Sequence, residues 1–225
     1  MPCARFLPRH RLVRIACPTG LLQGGVADIL ARFIAKHPQV RIALDATNRS
    51  VDVVDEGLDV AVRVRKPPLE DSDLVMHALG PDEMILVASP ELIAAHGQPQ
   101  TLEDIGRMPT LSMATSGERA TWRFLGIDGE PSELTHSPRL RTDDLFTLRR
   151  AALLGIGAVL IPHLIVATDL ERGTLIRLLP SLTAHTGLMH AVFPSRRGMV
   201  PAVRALLDSL SEGLSVRAAP ENQKI

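Results

Sequence analysis

The chain has 225 residues, 45% hydrophobic and 22% charged, enough apolar surface to offset the ordering entropy of a core and too much for an intrinsically disordered segment. Its 25 Lys and Arg balance 25 Asp and Glu, so there is no excess positive charge for bulk attraction to nucleic acid phosphates. The two cysteines, Cys3 and Cys17, have no partner cluster, which excludes a disulfide framework and a thiolate metal site.

Leu12 to Cys17 reads as a buried strand, and Pro18, Thr19 and Gly20 separate it from a helical pattern over Leu21 to His37. In that stretch Leu22, Val26, Ile29, Leu30, Phe33 and Ile34 recur at helical spacing, and Pro38 blocks continuation. Val40 to Leu44 predicts a second strand. Ser50 is then read as the cap of a brief helix that Gly57 ends, and Asp59 to Val64 as a third strand. Strand, helix, strand, helix, strand with short connections predicts a parallel sheet, because parallel neighbours need crossovers.

Met84 to Ala88 is the next strand, and Ser89 and Pro90 supply the N-cap and first turn of a helix closed by Gly97. Met108 to Met113 and Leu140 to Arg141 read as strands of a second sheet. Leu145 to Leu154 is helical, Ala158 to Ile161 is a strand ended by Pro162, and His163 to Glu171 is a helix stopped by Gly173. Leu175 to Leu179 and Leu188 to Phe193 are the last strands. A final helix opens at Pro201, with Val203, Leu206, Leu207, Leu210 and Leu214 as its apolar face. The longest apolar run, Ala151 to Ile161, falls well short of the roughly twenty residues of a bilayer span. No apolar stretch of signal-peptide length opens the chain. The expectation is a cytoplasmic protein without membrane contact.

Several stretches, in order, carry a resemblance: LVRIACP, VDVVDEGLDVAVRVRKPPLEDSDLV, MILVASPELIAAHGQP, AALLGIGAVLIPHLIVATDLERGTLIRLLP and FPSRRGMVPAVRALLDSL. Over most of its length the chain resembles the effector-binding domain of LysR-type transcriptional regulators. The resemblance implies an α/β, two-lobed, periplasmic-binding-protein-like fold: two mixed, mostly parallel sheets joined by two crossover strands, placed here at MILVAS and LMHAVF. It divides the chain into lobe I, residues 11–86 plus 192–216, and lobe II, residues 87–191, with tails at 1–10 and 217–225. Members of the family carry a helix-turn-helix ahead of this domain, so the expectation is a sensor whose DNA contacts lie in a segment this chain lacks. The resemblance also implies a small-molecule effector, an organic acid, in a cleft between the lobes, and a homodimer with lobe I packed antiparallel on lobe II. No cofactor or metal is expected.

Ligands of open α/β sheets sit at the strand C-termini, and the Pro18-Thr19-Gly20 turn is such a point. Thr19 offers a hydroxyl, and the amides of the following helix suit a carboxylate; Thr19 equally fits a cap of its own helix. Asn48 and Arg49 follow the second strand. The resemblance places Asn48 on the pocket, although a turn residue has the same appearance. Arg63 lies in a strand expected to be covered on both faces, so its guanidinium needs a partner: either Asp59 or Glu83 in a structural pair, or an anionic effector. In the second lobe, Thr115 in the turn Ala114 to Gly117, together with Thr142 and Asp143, occupies analogous strand ends. Asp143 also suits the N-cap of the Leu145 helix, which is the favoured reading. If it faces the cleft, an acid there argues against a simple dicarboxylate effector and suits a ligand with donors.

Gly155 and Gly157 lie between a helix and a strand, the reverse of the order that cradles phosphate, so they read as packing and turn glycines. The eight histidines lack metal-ligand spacing, and there is no nucleophile elbow. The expectation is therefore a protein that is not an enzyme. A stand-alone solute-binding protein of the same fold is the alternative to the sensor.

Overall fold

The structure, a computed structural model, describes residues 11–65, 74–113, 118–184, 186–194 and 200–218. By contact the chain forms two units, one up to Gly80 and again from Leu188, the other Pro81–Gly187.

The first unit is built on a five-stranded sheet of order β2-β1-β3-β13-β4. Strand β1 (Arg11–Cys17) buries Val13, Ile15, Ala16 and Cys17. It runs parallel to β2 (Val40–Ala46) along its whole length and parallel to β3 (Val60–Arg65) at Ile15 and Ala16. On the other side of β3, β13 (Gly187–Pro194) pairs antiparallel, with β4 (Leu74–Asp82) at the edge beyond it.

The first helix begins two residues earlier than its apolar pattern indicated. It comprises α1 (Thr19–Leu21), a π-helical turn (Leu22–Val26) and α2 (Ala27–Lys36). Gly25 sits at φ +126°, outside helical space; only glycine adopts this readily, and the π turn absorbs the extra residue as a kink. The last helix, α7 (Pro201–Ala218), buries all five apolar residues that its spacing singled out. It crosses α2 closely: a Cβ on Gly213 would lie 2.6 Å from the Ile29 side chain.

In the second unit a five-stranded sheet has the order β11-β5-β10-β6-β9. Its strands are β5 (Met84–Ala88), β6 (Thr110–Met113), β9 (Leu140–Thr142), β10 (Ala158–Pro162) and β11 (Ile176–Arg177). The helices are α3 (Pro90–His96), α4 (Leu102–Gly106), α5 (Leu145–Leu153) and α6 (His163–Glu171). The Ser89 cap holds as read, its hydroxyl oxygen accepting the Leu92 N–H at 3.3 Å. A three-stranded antiparallel sheet adds β7 (Ala120–Leu125), β8 (Pro131–His136) and β12 (Thr183–Ala184). Its inner face packs Trp122 and Phe124 into a core with Leu86, Leu92, Ile105 and Leu178.

Three sequence expectations change. The brief helix expected after Ser50 is a run of turns organised by Asp52, whose Oδ1 accepts the N–H groups of Val54 and Asp55. The strand expected over Leu175 to Leu179 shrinks to Ile176–Arg177, and Leu179 takes φ +46°. Strands β4, β7, β8 and β12 and helix α4 were not anticipated. MILVA lies in the second unit's sheet and LMHAVF in the first's, and the units divide at Gly80/Pro81 and Gly187/Leu188. Among the described residues no helix is long and apolar enough to cross a membrane.

Gly157 and His136 give two tests. A Cβ at Gly157 would stand 2.9 Å from the Pro109 carbonyl oxygen, which is backbone already engaged by the Ala158 N–H. Gly157→Ala is expected to destabilise by about 1–3 kcal/mol. Gly126→Ala, whose nearest atom lies at 3.7 Å, is expected to stay within about 0.5 kcal/mol; urea unfolding compares the two.

His136 is 6% exposed, packs against Trp122 with ring centroids 4.1 Å apart and planes tilted by 45°, and shares a 2.7 Å hydrogen bond between Nδ1 and Thr110 Oγ1. Nε2 has no partner among the described residues, so a second proton has nowhere to bond. Burial, then the charge of Arg141, pulls the imidazole down to about 4 from 6.5. The unfolded chain therefore binds this proton more readily. The stability His136 contributes is complete above pH 6.5, declines as pH falls below it and is gone near 4. In His136→Gln, stability is expected to fall less steeply across that range, by up to about 1.4 kcal/mol per pH unit in urea melts.

Candidate functional site

Three parallel strands of the first unit, β1, β2 and β3, end on the same edge of the sheet, and a pocket of about 240 Å³ opens there. Ala16, Cys17 and Pro18 line it from β1, Thr47 to Val51 from the segment after β2, and Val62 to Arg65 from β3. Strand C-termini in open α/β sheets are where ligands collect, because the polar ends of loops and helices converge there.

Asn48 organises the mouth of the first helix. Its Oδ1 accepts the Thr19 N–H at 3.1 Å and the Thr19 Oγ1–H at 3.0 Å. Thr19 does not cap its own helix: Pro18 is the capping residue, without a side-chain hydrogen bond, and Asn48 supplies the acceptor from across the pocket. The first helical amide, expected to await a carboxylate, is already satisfied. With Oδ1 committed, the amide Nδ2 of Asn48 keeps two N–H donors and has no protein partner among the described residues.

Arg63 corrects a second expectation. The first half of β3 is buried, but cover ends at Val62; Arg63 is half-buried and Val64 is 36% exposed. Neither expected carboxylate pairs with Arg63. Asp59 accepts the Arg14 N–H at 2.8 Å, and Glu83 pairs with Arg177 at 2.9 Å. Instead Nη2 of Arg63 donates to the Val51 carbonyl oxygen at 2.5 Å, and among the described residues no carboxylate lies within ion-pair distance. Burial and the like charge of Arg65 lower the Arg63 pKa, with Asp52 opposing. A guanidinium keeps its proton regardless, so that direction expresses how poorly its charge is compensated.

Arg49 is the opposite case. Both of its terminal nitrogens donate to Glu56, at 2.7 and 2.5 Å, and Asp45 lies 3.4 Å away. This hydrogen bonding takes the Glu56 carboxyl down to about 2. Of the two arginines flanking Asn48 and Val62, one is ion-paired and the other, among the described residues, has no carboxylate within ion-pair distance. Cys17 is 1% exposed, and burial lifts its thiol to about 12, so it is a protonated, apolar part of the wall.

The seven residues singled out from the sequence are only partly brought together. Asn48 and Arg63 line the pocket, Thr19 bonds to Asn48, and Gly20 is buried in the first helical turn without lining it. Thr142 and Asp143 belong to the second unit. There the cap of α5 is Asp144, whose Oδ1 accepts the Thr147 N–H at 2.8 Å; Thr142 Oγ1 accepts the Asp144 N–H, and Asp143 is exposed. Placing the cap on Asp143 was one residue short. Thr115, with its turn Ala114 to Gly117, lies outside the described residues. The sequence reading missed Arg65, which also lines the pocket. The signal was the VRVR alternation, which puts residues 63 and 65 on one face of the strand. Among the described residues no cluster of His, Cys, Asp and Glu could hold a metal ion.

Comparison with known proteins agrees with this architecture. A family model described as the LysR substrate binding domain matches residues 8–215. The HTH-type transcriptional regulator PtxR of Pseudomonas aeruginosa is 31% identical over 209 residues, covering 92% of this chain and 65% of PtxR. The HTH-type transcriptional regulator CrgA of Neisseria meningitidis serogroup B is 30% identical over 190 residues, 84% of this chain and 62% of CrgA. This chain thus spans less than two thirds of the length of either relative. The solved regulatory domain of CrgA superposes with a TM-score of 0.76 at 27% identity, covering 90% of this chain and 98% of that domain. A match along nearly the whole chain, in sequence and in fold, places this protein in the LysR substrate-binding domain family.

Proposed function

We propose that this domain is the sensor of a LysR-type transcriptional regulator and that its effector is a small organic acid held in the pocket of the first unit. The observation that carries this reading is that, among the described residues, Arg63 has no carboxylate within ion-pair distance and lies beside an Nδ2 of Asn48 that has no partner. A carboxylate satisfies both: it accepts two N–H bonds from the guanidinium fork, at the charge-assisted strength of such pairs, while the Asn48 amide donates to the same group. Thr19 acts through Asn48, locking its oxygen so that the donor end is presented to the ligand. The chemistry is binding without catalysis. Regulation then follows from the effector's preference between conformations and is limited to that preference. DNA contact belongs to a helix-turn-helix outside this chain, as in the relatives named above, and the domain works as a homodimer with the first unit of one protomer against the second unit of the other.

Thermal-shift measurements with a panel of small aromatic and aliphatic carboxylates test the reading. A ligand present at a hundred times its Kd adds about 2.7 kcal/mol, which raises Tm by several degrees. Arg63→Ala is expected to abolish that rise while leaving the unliganded Tm nearly unchanged; an Arg63→Ala protein that no longer folds would mean that the arginine is a structural element instead. Light scattering at micromolar concentration is expected to return the mass of a dimer, and a monomer would remove the assembly from the proposal.

A further inference from the structure

The residue directly opposite Arg63 on the neighbouring strand is His190. Facing residues of an antiparallel pair have Cβ atoms roughly 4.5–5.5 Å apart on one face of the sheet, and the diagonal neighbour, here Arg65, lies roughly 7–8 Å off. His190 is 2% exposed. Its Nδ1 meets the Leu188 carbonyl oxygen at 3.1 Å; the carbonyl can only accept, so Nδ1 carries the ring hydrogen and Nε2 is the atom that takes a second proton. Burial lowers the pKa of this ring, the Leu188 carbonyl opposes that, and the charges of Arg65 and Arg63 lower it further.

Arg65 and Arg63 also line the candidate pocket, so whatever neutralises them acts on His190. We infer that an organic anion bound in the pocket draws a proton onto Nε2 of His190, coupling effector binding to proton uptake. The inference rests on the reading of the pocket as an anion site. An anion beside the guanidinium groups cancels the field that, with burial, repels the proton, and linkage makes the effect reciprocal. The sign follows: above the pKa of the liganded ring, affinity is independent of pH. As pH falls from there towards the lower pKa of the free ring, affinity increases by up to tenfold for each unit separating the two values.

The other titratable groups around the ring are few among the described residues. Strand β4, beside β13, carries His77, whose Nε2 lies 2.8 Å from Ser211 Oγ, and Asp82, which burial lifts to about 6. The segment from Val51 to Leu58, packed over Val192 of β13, carries Asp52, Asp55 and Glu56. Asp52 is engaged with the Val54 and Asp55 amides and Glu56 with Arg49. Asp82 exchanges protons in the same pH range, so the ring itself must be observed.

The experiment is a proton–carbon NMR titration of the histidine ring signals of the full chain, free and saturated with benzoate, with His190 assigned by the loss of its signal in His190→Gln. Calorimetric benzoate titrations at about pH 5.5 and about pH 7.5 accompany it. The expected result is a His190 pKa below 6.5 in the free protein and higher with benzoate, with affinity at least about threefold greater at the lower pH. In His190→Gln that pH dependence is lost. Arg63→Gln, which leaves the histidine in place, is expected to raise the pKa of the unliganded ring. Benzoate that binds with equal affinity at both pH values, or a pH dependence surviving in His190→Gln, overturns the coupling and leaves the anion site standing. If benzoate and the other carboxylates of the panel produce no binding heat at either pH, the anion site falls and the coupling falls with it.

Discussion

Parallel strands cannot be joined by tight turns, so the three that open this chain must all end on one edge of their sheet, with crossovers returning behind them. The pocket, the helix mouth and the arginine pair of the first unit follow from that constraint. The polar groups at the ends of β1, β2 and β3 have no ladder partner beyond the last residue, so they satisfy one another across the gap or remain available. Asn48 does both at once: its oxygen completes the helix that follows β1 and its amide nitrogen stays free among the described residues. Two donors on one acceptor fix the orientation of the amide, a form of preorganisation in which its remaining N–H donors need no rearrangement to meet an acceptor.

Charge is distributed with similar economy. Arg49 and Arg63 both line the pocket, yet Arg49 is bound by Glu56 and Asp45 while Arg63, among the described residues, has only a backbone oxygen. A carbonyl satisfies geometry without cancelling charge, so Arg63 is held in place yet remains electrically unmatched. Arg65, two residues on, adds to the field, and His190 lies within its reach across the strand pair. The buried imidazole, the strand arginines and the pocket they line form one electrostatic unit, in which a change at any member alters the others.

The second unit shows how packing decides details that side-chain pattern leaves open. Its hairpin β7-β8 alternates cleanly in β7, with Ala120, Trp122 and Phe124 inward. In β8, Ser132 and His136 share the inner face with Leu134, and the polar composition conceals the strand. The His136 ring is retained there by Trp122 and Thr110, with Nε2 left without a partner among the described residues. Gly157 is required for a related reason: the chain enters β10 against the Pro109 carbonyl, and no side chain fits that approach.

The sequence by itself determined the α/β class, the order of most elements, the apolar face of α7 and, apart from the exposed Ile34, that of α2, the Ser89 cap and the stops at Gly97 and Gly173, because periodicity and capping are local and are written in neighbouring residues. It also pointed to Asn48 and Arg63, since a polar residue at a strand end and an arginine within a strand are visible without a partner. Only the tertiary structure decided what those residues touch. That Asn48 caps the helix of Thr19 across 29 residues of chain, that Arg63 takes Val51 rather than Asp59 or Glu83, and that His190 faces Arg63 all depend on strand register. Register is set by the burial of the whole sheet rather than by any single segment.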